Sequence, residues 1–105
     1  MSQFAVYRNP NQATNERFPL LLDVQSDLLD ELDTRLVAPL TPRASLLAAP
    51  LTRLMPVLQV EGADYVMMTP QVAGIPRRQL GEYVADLSTR RDDIRMALDF
   101  LTTGF

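Results

Sequence analysis

Hydrophobic and polar residues alternate in short runs along most of the chain, and turn-forming residues separate many of these runs. Alternation of this kind predicts β-strands, because successive side chains of a strand point to opposite faces. About six short strands are predicted: Gln3 to Asn9, Phe18 to Val24, Thr34 to Leu40, Met55 to Val60, Tyr65 to Thr69, and one or two pieces within Arg77 to Ala85. The pattern favours a compact antiparallel barrel or a strongly twisted sheet with one helix packed on it.

Proline and glycine indicate the expected turns and sheet edges. Pro19 has no backbone donor, so that end of the second strand is expected at a sheet edge, and Pro39 is expected to interrupt the third strand. Glu61 to Asp64 is predicted to be a hairpin loop of four residues with its glycine inside it. Pro70 to Pro76, which includes Gly74, is predicted to be a loop.

Two other connections carry weaker signals. Gln25 to Asp33 has too few turns and too many acids for a long helix, so we expect a turn and a short irregular piece there. Leu28 and Leu29 are adjacent apolar residues within it. A short helix is predicted around Ser45 to Ala49, closed by Pro50.

The last predicted element is an amphipathic helix that begins near Ser88, a residue type that favours the capping position, and runs almost to Gly104 and Phe105. Its apolar stripe follows the spacing i, i+3, i+4, i+7 and consists of Ile94, Ala97, Leu98 and Leu101. Met96 and Phe100 project from the opposite side. They are either ordinary surface hydrophobes or a contact patch for a protein partner, which Phe105 would extend. Because termini usually fray into polar tails, an end of this kind suggests a segment that is held or that holds something else.

Composition narrows the possible chemistry. The 105 residues predict one domain over 1–105, and the 47% hydrophobic content favours a folded protein. Cysteine and histidine are both absent, which excludes disulfides, zinc sites of the usual kind, thiol nucleophiles and the commonest general base. The net charge of −3 disfavours tight nucleic-acid binding by this chain alone. Without a membrane-spanning apolar run or a signal peptide, we expect a cytoplasmic protein.

The acidic residues after the second predicted strand are dense, but they lack the glycine and terminal glutamate of a calcium-binding loop. They are Asp23, Asp27, Asp30, Glu31 and Asp33. A solvated acidic turn is the favoured interpretation, and no metal or cofactor is predicted.

Ribonuclease chemistry stays open at this level. An arginine beside a carboxylate or a threonine can cleave RNA by general acid and base action. The candidate arginines are Arg77, Arg78, Arg90 and Arg91. The alternative is that they lie on a solvated surface.

Several short strings, read together, resemble the CcdB family of toxins along the whole chain. They are Asp23-Val-Gln-Ser-Asp27 with Leu28-Leu29-Asp30, Pro39-Leu40, Met67-Met68-Thr69, Ile75-Pro76, Val84-Ala-Asp-Leu-Ser88 and Gly104-Phe105. The resemblance implies an SH3-like barrel or twisted antiparallel sheet with a terminal helix, and a homodimer. It also implies a toxin that binds the A subunit of DNA gyrase and traps the gyrase-cleaved DNA complex without catalysis.

The same resemblance implies a CcdA-like antitoxin as partner, whose disordered segment folds on the toxin. Toxin and antitoxin together would repress their own operon, with the antitoxin supplying the contacts to operator DNA. An endoribonuclease toxin of the related barrel fold and an antitoxin-binding homologue that has lost toxicity are the alternatives.

The resemblance also assigns the gyrase contacts. In the family the last three residues, usually Trp-Gly-Ile, reach gyrase, together with two aliphatic residues and one polar helix residue. The corresponding residues here are Thr103, Gly104, Phe105, Leu28, Leu29 and Asp99. Thr103 replaces the usual tryptophan, and the aromatic residue is now the last one.

Overall fold

The strands pair into one curled antiparallel sheet, and a helix follows them. A computed structural model describes residues 2–49 and 52–104, and within these ranges the sheet has seven strands. The strands are β1 (Ala5–Arg8), β2 (Leu20–Asp23), β3 (Thr34–Pro42), β4 (Val57–Val60), β5 (Ala63–Met67), β6 (Ala73–Pro76) and β7 (Tyr83–Asp86). Helix α1 (Arg91–Thr103) comes last. The structure confirms a mainly β, barrel-like fold with one helix at the end of the chain.

Strand β3 organises the sheet, whose order is β4-β5-β3-β2-β1-β7. One side of β3 pairs with β2. The other side pairs with β6 along its first half and with β5 along its last residues. Because one long strand serves two partners in succession, the sheet bends around the core instead of lying flat.

The core lies between the inner face of the sheet and α1. Its members are Phe4, Val6, Leu20, Leu22, Val24, Ala38, Leu40, Leu58, Val60, Met67, Leu87, Ile94 and Ala97. The predicted helical stripe is confirmed for Ile94 and Ala97, which are buried, and for Leu98, which packs partly against the core. It is wrong for Leu101, because every described position from 101 to 104 is exposed and the sheet does not cover the last turn.

Both proline predictions are wrong. Pro19 lies just outside β2, which has β1 and β3 on its two sides, so the strand is interior. Pro39 does not interrupt β3: its carbonyl accepts a hydrogen bond from the N–H of Met68 at 2.8 Å. Since the N–H and C=O of a strand residue point the same way, its missing donor faces the gap where β3 changes partner from β6 to β5.

The hairpin between β4 and β5 is tighter than predicted. Val60 and Ala63 are a register pair, so the loop has two residues, Glu61 and Gly62, and not four. Both have positive φ, 52° and 80°. Positive φ at both central positions is the mark of the type I′ turn, whose twist matches that of the flanking strands.

The segment predicted as a loop over Pro70 to Pro76 overlaps a 3-10 helix, Thr69–Gln71, and contains the strand β6. Strand β6 went unrecognised because glycine and proline make up half of its four residues. Its pairing with β3, not its composition, makes it a strand. The region over Arg77 to Ala85 forms a 3-10 helix, Arg77–Gln79, and the single strand β7.

The helix predictions are correct in type but shifted in position. A 3-10 helix covers Arg43–Ser45 instead of the residues around Ser45 to Ala49, and Pro50 lies outside the described residues. The terminal helix begins as a 3-10 turn, Ser88–Arg90, before α1. Ser88 is not a side-chain cap; its N–H donates to the Asp86 carboxylate at 2.8 Å. Among the described residues, no helix combines the length and apolar character needed to cross a membrane.

Candidate partner-binding site

The connection between β2 and β3 presents apolar side chains to solvent. Its 3-10 helix, Asp27–Leu29, begins with the Ser26 hydroxyl accepting the N–H of Leu28 at 3.2 Å. Leu28 is 94% exposed and Leu29 is 50% exposed. Nearly all the apolar area of Leu28 and about half that of Leu29 therefore stay in water after folding and are available for burial against a partner.

A buried ion pair supports this connection from below. Nε and Nη2 of Arg35, on β3, both lie 2.8 Å from one carboxylate oxygen of Asp23, at the end of β2. Neither side chain is exposed. Nη1 of Arg35 reaches the half-exposed carboxylate of Asp30 at 3.1 Å, beyond the 3-10 helix. The prediction of a solvated acidic turn is therefore wrong for Asp23. This carboxylate lies in the interior, where the positive charge of Arg35 compensates it.

Removal from water raises the pKa of the Asp23 carboxyl above its ordinary value. The backbone N–H of Gln25, which donates to Asp23 at 3.0 Å, and the Arg35 guanidinium both favour the ionised form and limit this rise.

The Gln25 side chain ties the 3-10 helix to the sheet. Its Nε2 donates to the carbonyl of Leu29 at 3.0 Å, and its Oε1 accepts the N–H of Leu36, on β3, at 3.0 Å. Gln25 is buried. A second tie comes from the other end of the turn, where the Asp27 carboxylate accepts the backbone N–H of Gln3 at 2.8 Å.

Arg77 binds the same connection from the solvent side. Its Nη2 donates to the carbonyl of Leu32 at 2.8 Å and also to the carbonyl of Asp30. Two more of the candidate ribonuclease arginines are engaged near α1: Arg90 pairs with Asp93 at 2.9 Å, and Arg91 donates to the Ser88 carbonyl at 3.4 Å. These three arginines have structural partners, whereas Arg78 is exposed.

The end of α1 forms the second exposed group of predicted contact residues. Gly104 has φ 78°, and its N–H donates to the Phe100 carbonyl at 2.9 Å, which is the αL ending that glycine favours. The Thr103 hydroxyl donates to the Asp99 carbonyl at 2.7 Å. Asp99, Thr103 and Gly104 are exposed, and Phe105 lies outside the described residues.

The two apolar residues outside the helical stripe differ in their surroundings. Met96 is exposed. Phe100 is half-buried, and the guanidinium carbon of Arg53 lies 5.2 Å from its ring centroid. Part of the Phe100 ring is therefore covered by this chain, so Met96 offers more apolar area for contact with a partner.

Five of the six predicted contact residues are thus at the surface, in two groups on separate elements. Sequence reasoning missed the supports of the first group, Gln25 and Arg35. The available signal was an arginine near the start of a mostly apolar strand, twelve positions after an aspartate that ends another strand. A charge at such a position needs a buried counter-charge.

Residues 3–104 match the family described as CcdB protein. The chain belongs to the CcdB family. Membership supports a role as the toxin of a toxin–antitoxin system.

Two solved structures resemble this CcdB-family chain in fold. An endoribonuclease in complex with its cognate antitoxin, from a mycobacterial species, has a TM-score of 0.76 at 14% identity, with 97% of this chain and 94% of that chain covered. An endoribonuclease from a mycobacterial species has a TM-score of 0.66 at 15% identity, with 97% and 90% covered. At such low identity the likeness establishes a shared fold and does not transfer the activity.

Proposed function

We propose that this toxin binds the A subunit of DNA gyrase and traps the complex in which gyrase has cut DNA. The observation that carries the proposal is the pair Leu28 and Leu29, which the fold exposes on an anchored turn. Asp99, Thr103, Gly104 and Phe105 complete the contact surface. The family resemblance supports this target.

The energetics fit a binding function. Full burial of one leucine against a partner contributes about 1.5–3 kcal/mol. A homodimer presents each contact twice, which matches a target with two-fold symmetry. Because the connection is already held by two part-buried hydrogen bonds of the Gln25 side chain, little conformational entropy is lost when the partner binds. The mechanism makes and breaks no covalent bond, so it requires no catalytic residue, cofactor or metal.

The second partner is a CcdA-like antitoxin. A disordered antitoxin segment that folds on the toxin would neutralise it, and the toxin–antitoxin complex would repress its own operon. With a net charge of −3, the toxin is expected to reach operator DNA only through the antitoxin. A cytoplasmic location follows from these partners.

The test is a cleavage assay with purified gyrase, supercoiled plasmid and purified toxin. We expect linear DNA after detergent and protease treatment, and much less of it with Leu28→Ser or with a chain that ends at Thr103. Leu47→Ser is the matched control, because Leu47 is also a fully exposed leucine, on a different connection. Absence of linear DNA with wild-type toxin that is folded and binds antitoxin would reject the proposal.

A second candidate function is endoribonuclease activity, which one cavity favours. It has a volume of about 350 Å³ and brings together a carboxylate, a guanidinium and two hydroxyls, from Glu16, Arg17, Thr41 and Ser45. A carboxylate there can take the proton of an RNA 2′-hydroxyl as this oxygen attacks phosphorus. Arginine stabilises the charged phosphate while the bond from phosphorus to the 5′-oxygen breaks, which leaves a 2′,3′-cyclic phosphate. The carboxylic acid formed in the first step returns its proton to the 5′-oxygen. The two solved structures of similar fold are named endoribonucleases.

Incubation of labelled RNA with pure toxin distinguishes the two activities. The gyrase proposal expects intact RNA, whereas ribonuclease activity expects cleavage that Arg17→Ala abolishes. A toxin that gives neither linear DNA nor cleaved RNA, but still binds antitoxin, is the non-toxic homologue.

A further inference from the structure

We infer that Gln25 is a positioning residue for gyrase binding, whose side-chain amide fixes the place of Leu28 and Leu29 relative to the sheet. The inference rests on the proposed function. Gln25 itself is buried, so a partner that binds the surface meets the two leucines and not this side chain. It acts through the two leucines that do.

The geometry of the amide leaves one possible orientation. The carbonyl of Leu29 can only accept a hydrogen bond, and the N–H of Leu36 can only donate one. Nε2 must therefore face Leu29 and Oε1 must face Leu36, as the two 3.0 Å bonds require. One side chain thereby joins the last residue of the exposed 3-10 helix to the central strand β3.

The turn depends on such a tie. A 3-10 helix of three residues has little stability of its own, and none of its residues is buried. Its backbone bonds, from the Leu29 N–H to the Ser26 carbonyl at 3.0 Å and from the Leu32 N–H to the Leu29 carbonyl at 3.1 Å, stay within the connection. Its other side-chain bonds lie at its start, where Ser26 caps it and Asp27 reaches Gln3, and beyond its end, where Asp30 meets Arg35. The Gln25 bond is made at Leu29 itself, next to Leu28. Without this bond Leu29 is hydrogen-bonded, among the described residues, only to others of the connection, so the backbone that carries both side chains gains freedom relative to β3.

The substitution Gln25→Glu tests this with minimal change in shape. A carboxylate still accepts the N–H of Leu36 but cannot donate to the carbonyl of Leu29. Loss of one such hydrogen bond corresponds to about a tenfold weaker binding of the gyrase A subunit. Antitoxin binding, which serves as the measure of a folded toxin, should be unchanged. Gln12→Glu is the control for the added charge, because Gln12 is exposed on a different connection.

A double-mutant cycle separates positioning from a general structural effect. Once Leu28 and Leu29 are both serine, their placement no longer matters, so Gln25→Glu should weaken the residual gyrase binding by much less than tenfold. Amide hydrogen exchange over residues 26–32 should be faster in Gln25→Glu than in wild type. If Gln25→Glu does not fold, Gln25→Met, which has a similar length and no donor for the Leu29 carbonyl, takes its place with the same expectations.

The outcomes are distinct. Wild-type toxin that fails to bind the gyrase A subunit overturns the proposed function together with this inference. Tight wild-type binding with equal losses from Gln25→Glu in the presence and absence of the two leucines overturns the positioning role alone. Unchanged affinity in Gln25→Glu does the same.

Discussion

Arg35 directs two of its nitrogens, Nε and Nη2, to a single carboxylate oxygen of Asp23, each at 2.8 Å, and neither side chain is exposed. The other oxygen of Asp23 is thereby left to accept the N–H of Gln25. The pair therefore joins the end of β2 to β3 and also fixes the first residues of the connection that exposes Leu28 and Leu29. The pair therefore contributes both to the stability of the fold and to the position of the proposed contact residues.

Removal of one partner should be costly, because the other charge then stays buried without compensation. We expect Arg35→Met to lower the free energy of unfolding by about 3–5 kcal/mol, and Arg35→Met with Asp23→Leu to recover much of this loss. Urea denaturation of the three proteins measures both effects.

Arg8→Met is the control for the loss of an arginine. Arg8 pairs with Glu61 at 3.6 Å, and both side chains are more than half exposed. Its substitution should change the free energy of unfolding by less than about 1 kcal/mol. A similar loss for Arg8→Met and Arg35→Met would contradict the importance of burial.

Gly81 is expected to be intolerant of any side chain. A Cβ at this position would lie 2.7 Å from the backbone carbonyl oxygen of Arg8, which also accepts the Gly81 N–H at 2.9 Å. The backbone segments at Gly81 and Arg8 cannot move apart without breaking this hydrogen bond. Gly81→Ala should therefore lower the free energy of unfolding by about 1–3 kcal/mol. Thermal unfolding measures the change in stability.

Gly74→Ala is the matched control, because a Cβ at Gly74 meets nothing within 4 Å. It should leave stability unchanged or raise it by about 0.4–1 kcal/mol, through reduced freedom of the unfolded chain. Equal destabilisation by the two alanine substitutions would show that contact with Arg8 is not the cause.

The turn between β4 and β5 offers a stabilising change. Glu61 has φ 52°, a conformation that asparagine adopts more easily than glutamate, and Asn-Gly is the preferred pair of a type I′ turn. Glu61→Asn should therefore raise the free energy of unfolding by about 0.5 kcal/mol, even though the exposed pair with Arg8 is lost. Glu61→Gln loses the same charge without the conformational gain, so thermal unfolding should rank it below Glu61→Asn. The reverse order would contradict the conformational argument.

Local patterns were sufficient where local forces decide the structure. The spacing of Ile94, Ala97 and Leu98 predicted the buried face of α1, because 3.6-residue periodicity needs no knowledge of the partner surface. Strand pairing could not be predicted in this way, because it depends on residues that are distant in the sequence. Pro39 continues its strand, and residues 73–76 form one, because of what lies beside them in the fold.

The same division applies to the candidate site. The string containing Leu28 and Leu29 was recognisable, and a short irregular turn was predicted correctly around it. Its anchorage was not predicted, because Gln25, Arg35 and Leu36 meet only when β3 returns beside β2. The resemblance assigned contacts to exposed residues of the connection, whereas the buried side chains that hold this connection, Gln25 and Arg35, are brought to it only by the fold.

Tyr7 gives the fold a predictable response to alkaline pH. The side chain is buried in β1, its ring lies 6.1 Å from that of Tyr83, and removal from water raises its pKa above the ordinary 10.0. Above pH 10 the unfolded chain loses this proton while the folded chain keeps it, so the folded state binds more protons and its stability falls as pH rises. The contribution of Tyr7 is therefore complete below pH 10 and disappears as pH rises through the raised pKa.

Tyr7→Phe removes the titrating hydroxyl. The free energy of unfolding of this variant should therefore fall less steeply than that of wild type between about pH 9 and 11. Urea denaturation across this range measures the two slopes. The chain has no tryptophan, so the difference in tyrosinate absorbance between wild type and Tyr7→Phe reports the titration of Tyr7 directly. A midpoint at or below pH 10 in that difference, or equal slopes for the two proteins, would contradict the burial of this hydroxyl as the cause.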